Sequence, residues 1–558
     1  MPSHHPTLFR PTRTWLALSL ASCALSSLAA LPAPDPDNGG LTLPPGFRAL
    51  IVADDLIAGR KVGNDSDQLR FIAAAPNGDL YAKTLRGGII ALRDTDGDGR
   101  FDLRREFGDG GGTGIALRGD WLYHSTNTAV LRYPYRNDEL VPGGAPQPIV
   151  VDLPDRRSHS AKCFAFDAEG RLLVEIGSPY NVYSEPDRQL GAKGKDATEF
   201  LQSFGGFWRF DANRPGQTQA DGFHFSTGHR HCLSIAWQPV AREFFMVMMG
   251  RDNMNTVAPE FYDALDNAER VAEEMHRLHE GANLGWPYTY WDPIKKARMV
   301  APEFGGDNRR RTEPGRYAEP LIAFPAHWAP LQMTFHTGAQ FPDRYHGGAF
   351  IAFHGSWNRA PLPQDGYNVC FVPFDRQGAP LGTYEVFAAN AGPQRFRMGG
   401  VAVAPDGSLF ISETDRGRIW RILYTGTTPA PAVAAPSTRP TPPAEPAPIV
   451  NSDHPGRRLY TRYCAACHMA DGAGAGQLNP ALVANAVVSG DKTRLIDVIL
   501  RGPAAALPAD RPKFANFMPP FPKLKDREVA DLLTYLRQTY GGTTPVTLAE
   551  VAAVRASK

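Results

Sequence analysis

Phe71-Ile72-Ala73-Ala74-Ala75-Pro76-Asn77-Gly78-Asp79-Leu80-Tyr81 is an apolar run, a turn signal and a second apolar run. Val401-Ala402-Val403-Ala404-Pro405-Asp406-Gly407-Ser408-Leu409-Phe410-Ile411 repeats it more than three hundred residues later. Proline presets the turn dihedral and glycine accepts the positive φ that follows, so each stretch predicts a β-hairpin. Similar units start near Ile115, Phe164, Ile235 and Met333. Six units predict a six-bladed β-propeller. Residues 42–424 supply roughly 64 residues per blade, enough for four strands of about 5–6 residues and long connections. The uneven spacing leaves a pair of β-sandwiches as the alternative.

Working outward, the composition agrees with a mostly β protein: 54 Gly and 50 Pro accompany 42% hydrophobic and 21% charged residues. Lys plus Arg number 59 against 58 Asp plus Glu, so no global field favours nucleic acid or an anionic membrane. Residues 1–30 read as an export signal, with Arg10 and Arg13 ahead of the apolar run Trp15 to Leu28, and small residues at Ser27 and Ala29. Leu20-Ala21-Ser22-Cys23 looks like a lipoprotein box, which would anchor the chain through Cys23; an ordinary signal with an incidental Cys is the alternative. No later stretch has the length of a membrane span.

Thr425 to Pro448 holds eight prolines in twenty-four residues, and residues 425–450 read as an extended linker. Beyond it, Cys464-Ala465-Ala466-Cys467-His468 is the attachment pattern of a c-type haem, with two thiols for the vinyl groups and His468 for the iron. No histidine follows His468. Beyond the adjacent Met469 the sole methionine is Met518, in Phe517-Met518-Pro519-Pro520-Phe521, which makes Met518 the second axial ligand. Asp526 is positioned to cap a helix whose Val529, Leu532, Leu533, Leu536 and Tyr540 share one face, to be packed by Leu459, Tyr460 and Tyr463. From about Pro455 to Gly541 the segment resembles a class I cytochrome c. The fold class is therefore an all-β six-bladed propeller plus a small all-α cytochrome c domain, residues 451–545, followed by a tail at 546–558.

In the large domain, Arg157-Ser158-His159-Ser160, Gly228-His229-Arg230-His231 and Gln394-Arg395-Phe396-Arg397 resemble strings of the quinoprotein sugar dehydrogenases. These are six-bladed propellers that bind pyrroloquinoline quinone (PQQ), and the sorbosone and pyranose dehydrogenase branch is the nearer likeness. The resemblance implies that His159 is the base taking the substrate hydroxyl proton and that Arg230 faces the quinone carbonyl. It also implies that Arg395 and Arg397, with Arg70 as a further candidate, meet the cofactor carboxylates. By the same likeness a calcium ion lies under the cofactor at Gly250 and Arg251, with Asp252 as a direct ligand, and His327 and Trp357 line the pocket. The Gly285-Trp286-Pro287 turn also matches. Gly112, Thr113 and Asn358 depart from the glucose dehydrogenases, so the exact sugar does not transfer.

Asp94, Asp96, Asp98, Arg100 and Asp102 are spaced like the front of an EF-hand loop, a candidate second calcium site against a plain Asp-Gly hairpin turn. Arg309-Arg310-Arg311 reads as a solvated loop, with docking of the haem domain as the alternative. Cys163, Cys232 and Cys370 allow at most one disulfide. The expected activity is PQQ-dependent oxidation of a sugar-like substrate, with electrons relayed through haem c to an external acceptor. A quinone-free propeller serving as a redox-binding module is the alternative, and a metal-dependent lactonase is disfavoured by the attached haem.

Overall fold

The computed structural model describes Met1 and residues 32–557, apart from residues 64, 157, 392–394, 427–453, 469–471, 473, 475–478, 512–513, 515–517, 519, 523 and 543. The export signal, Cys23 and nearly all of the linker lie outside the described residues. Both quoted hairpins form with the same turn: Gly78 N donates to Ala75 O (3.0 Å) and Gly407 N to Ala404 O (2.9 Å). They open the first and last of six sheets, each built on four antiparallel strands, whose innermost strands are Leu69–Ala74, Ile115–Arg118, Phe164–Phe166, Ser234–Gln238, Pro330–Phe335 and Met398–Val403; the third and fifth sheets each carry one further short strand. The six repeat units of the sequence are therefore the six blades, numbered here in that order, and the sandwich alternative is excluded.

Each blade stacks its two faces on its neighbours, so the second strands are buried on both sides. Leu80–Thr84 is buried at every position, whereas the outermost strand of blade 1, Leu103–Phe107, is exposed through its middle. The ring closes through the N-terminus. Phe47–Ala53 pairs antiparallel with Ile419–Tyr424 as the outer strand of blade 6, with Phe47 opposite Tyr424, leaving no open edge between first and last blade. Long second-to-third strand connections lie at one end of the ring: residues 177–205 in blade 3, 249–272 in blade 4 and 355–366 in blade 5. That end also receives the starts of the innermost strands, so one rim collects His159, Arg230, Asp252, His327 and Arg397.

The haem domain is built on helices Pro455–Tyr463 and Asp526–Tyr540. They cross closely because Gly456 has no side chain: a Cβ there would stand 2.0 Å from Asp531 O. Val529, Leu532, Leu533, Leu536 and Tyr540 are buried with Tyr460 on the expected face, and Leu459 and Tyr463 pack at its edge. Two expectations change. Asp526 is the first helical residue rather than the cap; Glu528 accepts from Lys525 N (2.8 Å), while Asp526 pairs with Arg555 (2.6 Å). The segment read as a tail contains helix Leu548–Ala556, which buries Val551 and Val554 in the same core, because its short apolar face was masked by alanines. Cys163, Cys232 and Cys370 are buried free thiols, and Cys163 donates to Cys232 O (2.8 Å), where a disulfide partner's sulfur would have to be.

Candidate active site

Asp252 is the centre of the rim. Its carboxylate lies 2.7 Å from Arg230 Nη2, 3.2 Å from Arg188 Nη1 and 3.3 Å from His327 Nδ1, and it accepts from Asn358 Nδ2 at 3.1 Å. Its backbone is clamped by Asn181, whose amide takes the Asp252 N–H (2.8 Å) and donates to its carbonyl (2.9 Å). Burial opposes ionisation of Asp252, but Arg230, His327 and Arg188 together hold it well below the usual carboxylate range. Several of these side chains sit on strained backbone, with φ of +58° at Arg188, +65° at His327 and +63° at Asn253. Such strain persists where the surrounding structure over-determines it. One such determinant is Glu273, which accepts from Gly250 N (2.8 Å) and Ala329 N (3.0 Å) and so ties the Asp252 loop to the His327 loop; burial pushes its carboxyl up to about 7.

His159 stands beside this cluster at φ +56°. Its Nδ1 is bonded to the Ser178 carbonyl, which only accepts, so the proton is on Nδ1 and the lone pair on Nε2. Burial, with the charge of Arg230 and the neighbouring His231, holds the imidazole well below its ordinary value, and it is neutral near pH 7. His231 stacks on it with ring centroids 4.6 Å apart and is oriented by the buried Glu175 (3.1 Å). A neutral imidazole with a fixed tautomer leaves a free Nε2 lone pair that can accept a proton.

The remaining expected residues distribute as follows. Arg397 donates toward His354 Nδ1 (3.5 Å), and Arg395 and Arg397 both lie over the Tyr367 ring, at 5.6 and 5.4 Å, as their alternating spacing requires. Arg70 bonds Gln68 (2.7 Å), and burial pulls its guanidinium down to about 10. Arg251 pairs its side chain with the buried Glu303 (2.5 Å) and donates from the same guanidinium to Asp252 O (3.2 Å), so it bolts the Asp252 loop down rather than reaching into the carboxylate cluster. Trp357 is half-buried, and it is the adjacent Asn358 that reaches the carboxylate. Gly285-Trp286-Pro287 supports the site from below, Trp286 Nε1 donating to Asn181 O (2.9 Å). Arg188, Asn181, Glu175 and Glu273 were not foreseen. Arg188 and Asn181 are polar residues of a long connection and Glu175 and Glu273 polar positions in strands, and only their contacts mark them; Asn358 was visible as a departure from the glucose dehydrogenases.

In the haem domain Cys464 and His468 are buried and Cys467 is half-buried. His468 Nδ1 donates to Pro480 O (2.9 Å), which fixes the tautomer that leaves Nε2 for iron. Met518 packs at the edge of the same core. Away from both sites, Asp94, Asp96 and Asp102 bring carboxylate oxygens within 4.8 Å of one another. Asp98 does not join them. It accepts from Arg100 N (2.7 Å) while the Arg100 guanidinium bonds Asp35 (2.7 Å), because the loop closes as a turn on its own amides.

The family profile described as TrAA12-like matches residues 41–425, more than half of the chain. The chain belongs to the TrAA12-like family. A second profile, cytochrome c, matches residues 454–540. Among curated proteins, a PQQ-dependent pyranose dehydrogenase of Coprinopsis cinerea is 31% identical over 140 residues, 20% of this chain and 18% of its own length. The cytochrome c subunit of a quinone alcohol dehydrogenase from Gluconobacter oxydans is 36% identical over 95 residues, 17% and 20% of the two chains. The chain spans less than two thirds of the curated relatives it matches. Among solved structures, the calcium structure of the Trichoderma reesei family AA12 enzyme has a TM-score of 0.54 at 18% identity, covering 69% of this chain and 97% of that one. The holo PQQ domain of the Coprinopsis cinerea pyranose dehydrogenase has 0.52 at 18%, with the same coverage. At that identity these two likenesses establish the propeller fold.

Proposed function

We propose that the chain is a PQQ-dependent dehydrogenase of a sugar or related hydroxyl or aldehyde substrate that passes its electrons through its own haem c to an external acceptor. The observation that carries this reading is the convergence of Arg230, Arg188 and neutral His159 around Asp252 at the mouth of the propeller. The residues fit an anionic cofactor: Arg230 Nε, Arg70 Nε and His354 Nε2 are buried without a hydrogen-bond partner, and such donors call for carboxylate or carbonyl oxygens. Two guanidiniums against one carboxylate leave little negative charge for a free divalent cation, so calcium at Asp252 and the Gly250 and Arg251 carbonyls fits once the cofactor's own carboxylates are present. Bound there, the quinone supplies the hydride acceptor. His159 Nε2 takes the hydroxyl proton, a role worth typically 10²–10⁴-fold; Arg230 is the fixed cation; Arg70, Arg395 and Arg397 hold carboxylates, and His327 and Trp357 wall the pocket. A second calcium is assigned to Asp94, Asp96 and Asp102, and calcium titration of the quinone-free chain counts it.

The export signal places the work outside the cytoplasm, with Cys23 as the point of lipid attachment; among the described residues no helix is long and apolar enough to cross a membrane. The test mixes oxidised, haem-loaded protein with calcium and PQQ, adds a panel of sugars and follows haem reduction by stopped flow. Quinone-dependent reduction by a sugar is expected. No quinone binding at all would favour the redox-binding module instead.

A further inference from the structure

Three segments of the propeller rim meet the haem domain. Arg188, Leu190 and Thr256 face Tyr463, Phe521 and Leu524 across a cleft of about 80 Å³. Asp263 and Leu265 face Arg457 and Arg458 on the first haem-domain helix across a wider cleft of about 540 Å³. Ala360, from the long connection of blade 5, is 2% exposed because it sits in the haem domain's own apolar cluster.

We propose that this rim is the docking surface of the chain's own haem domain, and that the docked arrangement passes electrons from the propeller site to the haem while covering the mouth through which substrate enters. The proposal rests on the function proposed above and goes beyond it in naming the surface and the alternation. Tyr463, which shares a cleft with Arg188, immediately precedes Cys464, an expected point of covalent haem attachment, so the face turned to the rim carries the haem periphery. Among the described residues the contacts include one small apolar patch, an acid facing two arginines and one buried alanine, which suits a reversible encounter held by a linker at about millimolar effective concentration. Exposed charges of this kind weaken as salt rises. Arg309, Arg310 and Arg311, considered from the sequence as a docking element, line neither cleft.

The electron count requires two single-electron transfers per substrate. Converting CH–OH to C=O releases the hydroxyl proton, which would pass to His159 and then to solvent, and a hydride, which a bound quinone would accept; the two electrons of that hydride leave singly and its proton goes to solvent. The haem iron takes one electron at a time, so the external acceptor must reoxidise the haem between the two transfers, and the docked haem domain must leave the mouth before the next substrate enters.

The double variant Arg457→Glu/Arg458→Glu, in the full haem- and quinone-loaded chain, puts like charges opposite Asp263. Substrate-driven haem reduction at low salt is expected to slow at least tenfold. Turnover of phenazine methosulfate with dichlorophenolindophenol, which draws electrons directly from the propeller, should stay within twofold of the parent. Small-angle scattering of the oxidised protein should show a larger radius of gyration than the parent. Leu190→Asp, on the opposite patch, should act in the same direction. Unchanged haem reduction and unchanged scattering in both variants would overturn the docking surface. If the parent reduces neither haem nor dye with any sugar, the proposed function fails, and the scattering difference still decides the docking.

Discussion

The two cofactor-bearing regions solve one problem in opposite ways. In the haem domain the expected attachment residues are contiguous, Cys464 to His468, and one backbone carbonyl, Pro480 O, orients the His468 imidazole. In the propeller the partners of Asp252 come from blades 3, 4 and 5, up to 106 residues away in the chain, and several sit at positive φ. The first kind of site survives loosening of its surroundings because covalent bonds hold it. The second exists only while the rim loops are all in place, because Asp252 and Arg230 are buried against one another and Arg188 and His327 complete their surroundings.

The sharpest way to break that contrast is Asp252→Ala, which leaves Arg230 and Arg188 without their shared carboxylate. Removing one partner of a buried ion pair costs about 3–5 kcal/mol, and urea unfolding of the propeller should show a loss in that range. A loss below about 1 kcal/mol would mean that the rim does not depend on its central charge. The matching perturbation of the haem domain is Gly456→Ala. Its new Cβ meets the Asp531 carbonyl, so overpacking should cost about 1–3 kcal/mol and lower the unfolding midpoint followed at the haem, with the attachment itself intact.

The smallest effect is a pH dependence inside the propeller. His124 is buried, and burial with the nearby charge of Lys83 brings it down to about 3. The folded state therefore resists a proton that the unfolded chain binds below about 6.5, so stability falls as pH drops from there toward 3. At pH 5.5 the linkage amounts to about 1.4 kcal/mol for this residue. His124→Leu should flatten the difference in unfolding free energy between pH 7.5 and 5.5 by that amount, and an unaltered slope would show that other groups carry it.

What could be read from the chain follows the same division. The Pro-Asn-Gly and Pro-Asp-Gly hairpins announced their blades because strand, turn and strand are adjacent, and the apolar face of Asp526–Tyr540 announced its packing because helical periodicity is local. The helix at Leu548–Ala556 was missed because alanines hide its face, and Asp98 was expected with the other loop acids until its carboxylate proved to be occupied by the neighbouring amide of Arg100. Arg230, His159 and Asp252 were singled out through short strings resembling a family, whereas Arg188 and Asn181 lay in an unpatterned loop and Glu273 at the start of strand Glu273–Leu278, with no such mark.

The sequence by itself determined the six-fold repetition and the presence of a cytochrome c domain after it, since each is written in residues a few positions apart. Only the tertiary structure decided which polar residues meet at the rim, that Arg251 turns to Glu303 while Asn358 turns to Asp252, and which face of the haem domain the propeller receives. The reason is that a buried charge is specified by the partners that desolvation forces upon it, and those partners are brought together by the closure of the ring rather than by their order in the chain.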